Sequence, residues 1–225
     1  MNETHQGPEI YWVSGSPYSW RVLLALEAKR VPYRSRLLQA SKGELKSPEY
    51  LALNPRGKVP TLKDGDFVLA ESLAILQYLE HKHPQPALFG RNARATGRTW
   101  QLVSEYFSYL NGPVDRIVGP LYFGKAGEKA DDIRAAAPKA HAELAQIESI
   151  VQKSKWLAGD ELSAADIAIY PFVKSLLRAA SKNEAKPLDL GFLPFDATYP
   201  RLDEWMKRVE SLPGYERTVP PHWKQ

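Results

Sequence analysis

Residues 10–30, IYWVSGSPYSWRVLLALEAKR, change their hydrophobic period halfway along. Residues 10–14 are a short apolar and aromatic run of strand length. From Pro17 to Arg30 the apolar side chains of Val22, Leu23 and Leu26, with the alanines, return on one side at helical spacing. The junction carries its own start signal: Ser16 suits a helix N-cap, and Pro17 suits the first helical position, where the N–H that proline lacks has no partner anyway. A strand therefore feeds a helix through Ser14-Gly15-Ser16, the opening of an α/β unit.

Outward from this stretch, residues 32–38 alternate apolar and polar like a half-buried strand, and the three elements together make a βαβ unit with a parallel crossover. Residues 44–53 read as a short helix, stopped at Asn54-Pro55 because the residue before a proline avoids the α region. Residues 60–63 and 67–69 flank Asp64-Gly65, a hairpin signal, and a helix follows over 73–79, ending near His83-Pro84. The order β-α-β-α-β-β-α implies one mixed sheet. Residues 83–92, HPQPALFGRN, are rich in turn formers. Beyond them, residues 95–117, 130–152, 164–180 and 199–212 carry apolar stripes at helical spacing. The expected fold class is α/β plus all-α: a mixed-sheet domain over residues 8–83, a linker over 84–92 and a helical bundle over 93–225.

Composition narrows the function classes. The chain has 225 residues, 44% hydrophobic and 25% charged, an ordinary globular balance for two small domains. No apolar run approaches the roughly 18 residues of a membrane span, so no membrane partner is expected. Residues 1–7 are polar, lack the basic-then-apolar layout of a secretory signal and read as a frayed tail. With no cysteine, thiolate metal sites and protein-thiol redox cycling are excluded, and a reducing, cytoplasmic setting fits. The net charge of +4 is spread among interspersed basic and acidic residues, so no nucleic-acid footprint is expected. His141 and His222 show no ligand spacing, and no metal is expected.

Four segments, in this order, resemble the glutathione transferase family: SPYSWRV at residues 16–22, NPRGKVPTL at 54–62, AESLAI at 70–75 and LSAADI at 162–167. The likeness spans nearly the whole chain. It implies a thioredoxin-like N-terminal domain, with Val59-Pro60 as its cis-proline turn and the main chain of Val59 turned outward to pair with the cysteinyl backbone of glutathione, as a strand edge would. It places Glu71 and Ser72 at a helix start that takes the γ-glutamyl group, where free N–H groups and the helix dipole attract a carboxylate. Lys58 and Lys46 are its candidate cations for the glycyl carboxylate; Lys46 resembles the lysine of the plant tau class. Ser163 and Asp166 read directly as a capping box, with Leu162 stapled to Ile167, a folding motif to which we assign no chemistry.

For catalysis the resemblance offers Ser16 as first choice. Its oxygen can cap the helix while its hydroxyl proton remains free to donate to a bound thiolate. Ser19, one turn further on, is the runner-up; Ser14 could swing in from the strand end; and Tyr11 suits the tyrosine-type classes but lies within the strand. The spacing Ser-Pro-x-x-x-Arg resembles the tau class, whereas the absence of cysteine excludes omega-like thiol transfer. An electrophile pocket is expected between the two halves, with Tyr18, Tyr106, Ile117, Leu121, Tyr122 and Phe172 as candidate walls.

The expected function is that of a glutathione S-transferase: glutathione is the co-substrate, its thiolate attacks a small hydrophobic electrophile, and peroxide reduction is compatible. The family implies a homodimer and a role in detoxification. Two alternatives stand beside it. A zeta-like cis-trans isomerase of the maleylacetoacetate type would have a Ser-Ser-Cys-x-Trp-Arg run, of which this chain keeps Ser16 and Trp20-Arg21 but has Pro17 and Tyr18 between. A non-catalytic glutathione-binding protein on the same scaffold would be free to lose the Ser-Pro, Val-Pro or Glu-Ser elements, all intact here.

Overall fold

The computed structural model describes residues 7–224. The polar run at residues 1–7 therefore lies outside them, Gly7 apart. Residues up to Leu88, together with those from Leu212 onward, form one compact unit, and Phe89–Ser211 form a second. The division falls inside the turn-rich stretch. The last residues return to the first unit, whereas the sequence reading leaves them with the helices.

In the first unit, β1 (Glu9–Trp12), α1 (Pro17–Ala28), β2 (Arg34–Leu37), α2 (Pro48–Leu53), β3 (Thr61–Asp64), β4 (Phe67–Ala70) and α3 (Ser72–Lys82) follow one another. The sheet runs β2-β1-β3-β4, with β2 parallel and β3 antiparallel to β1, and β4 antiparallel to β3. This is the mixed sheet that the sequence implies. Ile10 opposite Leu62 puts two fully buried side chains on one face, where Val22 and Leu26 of α1 and Ile75 and Leu79 of α3 are buried as well. The hairpin turn is Gly65-Asp66, since Asp64 already pairs with Phe67, and Gly65 supplies the positive φ of +64°.

Two details depart from the expected elements. The stretch read as one helix over residues 44–53 splits into a 3₁₀ turn, Glu44–Lys46, and α2, because Ser47 precedes Pro48 and is pushed to an extended ψ of 147°. Ser47 then caps α2, accepting from Tyr50 N at 3.2 Å. The C-terminal segment adds a short helix, α10 (Tyr215–Thr218), that packs on α1; the Trp20 indole donates to Thr218 Oγ1 at 2.8 Å.

The first unit also holds a buried cation. The Lys29 side chain is fully buried, and its ammonium meets the Glu80 carboxylate at 2.7 Å and donates to His83 O and Pro86 O at 2.7 and 2.8 Å. Three acceptors use its three N–H groups, as a buried ammonium requires.

The second unit is helical: α4 (Ala93–Glu105), α5 (Asn111–Tyr122), α6 (Ala130–Val151), α7 (Ala164–Ala180), the short α8 (Phe195–Thr198) and α9 (Pro200–Glu210). A π-helical turn, Tyr106–Leu110, joins α4 to α5. It precedes Gly112-Pro113, where proline cannot donate to the carbonyl four residues back and the helical ladder relaxes. The capping box at Ser163 is present, and it does more than cap. The wholly buried Asp166 accepts from Ser163 N and Oγ at 2.9 and 2.6 Å, from Leu157 N at 2.9 Å and from the Trp205 indole at 2.7 Å, tying α7 to α9. Burial pushes its carboxyl above the ordinary range, and these donors act against that push.

Candidate functional site

A cavity of about 280 Å³ in the first unit is lined by Tyr18, Asn54, Lys58, Val59, Pro60, Glu71 and Ser72. Six of these seven residues are site candidates from the sequence. Three segments far apart in the chain bring them together: the start of α1, the turn before β3 and the start of α3.

The turn before β3 is braced from behind. The Val59-Pro60 peptide is cis. The Lys58 carbonyl just before it accepts from the Tyr50 hydroxyl at 2.6 Å and from Asn54 Nδ2 at 2.8 Å. Thr61 Oγ1 closes the network, 3.0 Å from the Tyr50 oxygen and 3.2 Å from Asn54 Nδ2. Asn54 Oδ1 meanwhile accepts from Arg56 N at 3.2 Å, so one buried amide shapes both sides of the turn. Neither Tyr50 nor Asn54 stands out in the sequence as a site residue; Asn54 reads as a helix stop and opens the 54–62 segment without a role of its own. The Asn-Pro pair was the available signal, because an asparagine that ends a helix has its amide left to bond elsewhere.

Lys46 lies outside the cavity walls but close to the same turn. A Cβ at Gly57 would sit 2.7 Å from Leu45 O and 2.9 Å from the Lys46 ammonium. Gly57 has φ +59°, so both its conformation and the close approach of the Leu45 carbonyl require glycine. The Lys46 ammonium thus lies beside Gly57, the residue before the cavity-lining Lys58.

At the start of α3, Glu71 is the N-cap with φ +67°, an uncommon conformation for a residue with a side chain and one that costs about 1–3 kcal/mol. Its exposed side chain makes no cap hydrogen bond, so it does not occupy the first N–H groups of α3. Ser72, at the first helical position, is buried in the cavity wall. A helix N-terminus with open donors, a hydroxyl and a carboxylate beside it suits a ligand carrying both a carboxylate and an ammonium.

At the start of α1, Ser16 is the N-cap: its Oγ accepts from Ser19 N at 3.2 Å, and Pro17 follows at the first helical position. Its side chain is partly exposed. Ser16 does not line the cavity, but Tyr18, two residues on, does. Tyr18 carries the Arg21 guanidinium over its ring at 5.2 Å. Ser19 is completely buried. Ser14 shares a hydrogen bond of 2.6 Å with His222 Nδ1. Tyr11 donates to Glu9 at 3.4 Å and packs tilted beside Tyr50, ring centres 5.9 Å apart; burial and the Glu9 charge hold its phenol above the usual range.

The remaining candidates lie in the helical unit. Ile117, Leu121 and Phe172 are buried there, as β-branched, aliphatic and aromatic side chains at helical spacing commonly are. Tyr106, also buried, donates to Asn111 Oδ1 at 2.7 Å and packs edge-on to Phe172. Tyr122 is half-buried, with Lys182 5.4 Å from its ring centre; burial pushes its phenol up, and the Arg178 charge acts the other way. Among the described residues there is no group of three or more His, Asp or Glu placed to hold a metal, and no helix long and apolar enough to cross a membrane.

Comparison with known proteins agrees over both units. Residues 15–82 match the family described as "Glutathione S-transferase, N-terminal domain", and residues 113–213 match "Glutathione S-transferase, C-terminal domain". The chain is 30% identical to human glutathione S-transferase theta-2, covering 96% of this chain and 86% of that one. A crystal structure of a glutathione S-transferase from the Antarctic clam Laternula elliptica superposes with a TM-score of 0.81 at 33% identity, covering 97% of this chain and 94% of the other. A glutathione S-transferase-I solved with the ligand lactoylglutathione superposes with a TM-score of 0.76 at 26% identity, covering 95% and 98%.

Proposed function

The chain belongs to the glutathione S-transferase family, and from that premise we propose that it binds glutathione in the cavity of its first unit and activates the thiol through Ser16. The observation that carries this reading is the convergence of Lys58, Val59, Pro60, Glu71 and Ser72 on one cavity. The main chain of Val59 pairs with the cysteinyl backbone. Ser72 and the first N–H groups of α3 take the γ-glutamyl carboxylate, and Glu71 takes its ammonium. Lys58 and Lys46 neutralise the glycyl carboxylate.

The Ser16 oxygen already accepts from Ser19 N, so its hydroxyl proton points elsewhere and is available to a sulfur. A free thiol has a pKa of about 8.5, and lowering it by roughly two units requires about 3 kcal/mol of thiolate stabilisation. One hydrogen bond to a charged acceptor supplies about 1.5–3 kcal/mol, and the start of α1 adds to it. The thiolate then attacks an electrophilic carbon of a small hydrophobic substrate: a C–S bond forms, and either a leaving group departs with its electron pair or the adjacent carbon takes a proton. Tyr18, which lines the cavity, is the proposed wall on the electrophile side. The same reading makes the protein a cytoplasmic homodimer acting in detoxification.

The test is a titration of bound glutathione followed by ultraviolet thiolate absorbance. Thiolate at about pH 6.5, two units below the free value, is the expected result. A bound thiol that titrates as it does in water would sink the catalytic reading and leave a binding protein on this scaffold.

A further inference from the structure

The turn that delivers Ser16 is held by the far end of the chain. Residues 13–16 form a tight turn closed by Ser16 N donating to Val13 O at 3.1 Å, with Gly15 at φ +86°. On its outer side, Ser14 Oγ and His222 Nδ1 share a hydrogen bond of 2.6 Å. The same imidazole lies so close to the turn that a Cβ at Gly15 would meet its Cε1 at 2.9 Å. One ring therefore bonds the residue two before Ser16 and fills the space where a side chain on the residue directly before it would stand.

The histidine is itself held. Trp223, its neighbour, packs edge-on to Trp20 with ring centres 5.0 Å apart, and Trp20 is bonded to the fully buried Thr218. Arg217 pairs with Glu27 of α1. These contacts fix residues 215–224 along α1, whose N-cap is Ser16.

We propose that His222 is a positioning residue for thiol activation, fixing the direction of the Ser16 hydroxyl through Ser14 and Gly15; the inference rests on the reading of Ser16 given above. A hydroxyl stabilises a thiolate only while its O–H is aimed at the sulfur. The groups proposed to hold the tripeptide's ends, around residues 58–60 and 71–72, do not pass through this turn. Loss of the hydrogen bond to His222 should therefore act on turnover and on the bound thiol, with affinity for the thiol form of glutathione unchanged.

The test compares His222→Phe, which keeps a ring but cannot bond Ser14, with His222→Asn, whose amide can occupy the place of Nδ1. His222→Phe is expected to lower kcat about fivefold and to raise the titration midpoint of bound glutathione, with the affinity for the thiol form, read about one unit below the midpoint, unchanged. His222→Asn should return both to within about twofold of the wild type. A His222→Phe protein with wild-type kcat and titration overturns the proposal, as does an Asn variant no better than Phe. Should His222→Phe fail to fold, Ser14→Ala, which removes one hydroxyl, must give the same loss of kcat; an unchanged kcat there overturns it equally. Failure of the underlying reading is seen separately, in the wild-type protein: if its bound thiol titrates as in water, Ser16 activates nothing and this inference falls with it.

Discussion

The main-chain N–H of Ser19 donates to the hydroxyl oxygen of Ser16 at 3.2 Å, and this one contact gives the two serines different chemistry. It occupies a lone pair of Ser16 and leaves its proton to donate, while the Ser19 side chain sits fully buried beneath. Ser16→Ala should lower kcat by about 10- to 100-fold, the loss of one hydrogen bond to a charged acceptor, and should return the bound thiol towards its free titration. It should also cost about 1 kcal/mol of stability as a lost N-cap. Ser19→Ala should leave turnover within about twofold, since its side chain is fully buried and does not line the cavity. Steady-state kinetics on the two variants decide between them; a larger loss in Ser19→Ala would reverse the assignment.

Lys46 and Lys58 are proposed to act on the same carboxylate, so their removal should appear in binding rather than in chemistry. Each change to alanine should raise KM for glutathione by about three- to tenfold with kcat held, because a uniform binding contact is lost. The effect should shrink as salt is added, since exposed charges are screened within about 10 Å at 0.1 M. A fall in kcat with an unchanged KM would contradict the assignment.

Asn54 offers a sharper separation of fold from site. Its amide is buried and donates to the Lys58 carbonyl, so Asn54→Ala removes one of the two donors that shape the turn. The expected cost is about 1–3 kcal/mol in urea unfolding, together with a raised KM for glutathione. Unchanged stability would show that Tyr50 alone holds the turn.

The parts of this molecule legible in its sequence are those whose cause is local. Ser16-Pro17 signals a helix start by itself, Ser163 and Asp166 form a capping box three residues apart, and Gly65 marks a turn. The cis geometry of Val59-Pro60 was legible only through family likeness, since an isolated X-Pro pair favours trans. Long-range partners were not legible. Lys29 looks like any surface lysine until the fold places Glu80 and two carbonyls around it. His222 reads as an isolated histidine until the chain returns to Ser14, 208 residues earlier. Tyr50 and Asn54 acquire their role only when β3 brings Thr61 beside them.

The Lys29 clamp makes a stability prediction with a clear sign. Lys29→Met keeps the length and apolar stem but leaves Glu80 without its buried cation and the His83 and Pro86 carbonyls without this donor. Breaking a buried pair from one side costs about 3–5 kcal/mol, because the other charge stays in a poor solvent. Urea unfolding should show a loss of this size with little change in the slope. A loss below about 1 kcal/mol would mean that water reaches Glu80 as soon as the lysine is gone.

A pH effect follows from Asp64 at the end of β3. Burial pushes its carboxyl up, but the Lys82 ammonium and the Tyr78 hydroxyl both donate to it, the latter at 2.7 Å, and the net result is a carboxyl held below its usual range. A folded-state pKa below the unfolded value of about 3.9 gives stability that is complete above that value and is lost as pH falls through the native pKa. Lys82 is 42% exposed, so the contribution is discounted for screening to about 0.5–1 kcal/mol. Asp64→Asn should accordingly be less stable than the wild type at neutral pH by about this amount, and the two stability curves should converge as the solution is acidified below about pH 3.9. Urea midpoints measured at a series of pH values test the sign directly: a gap that widens on acidification would mean that the carboxyl is held above its usual range, with burial outweighing the lysine.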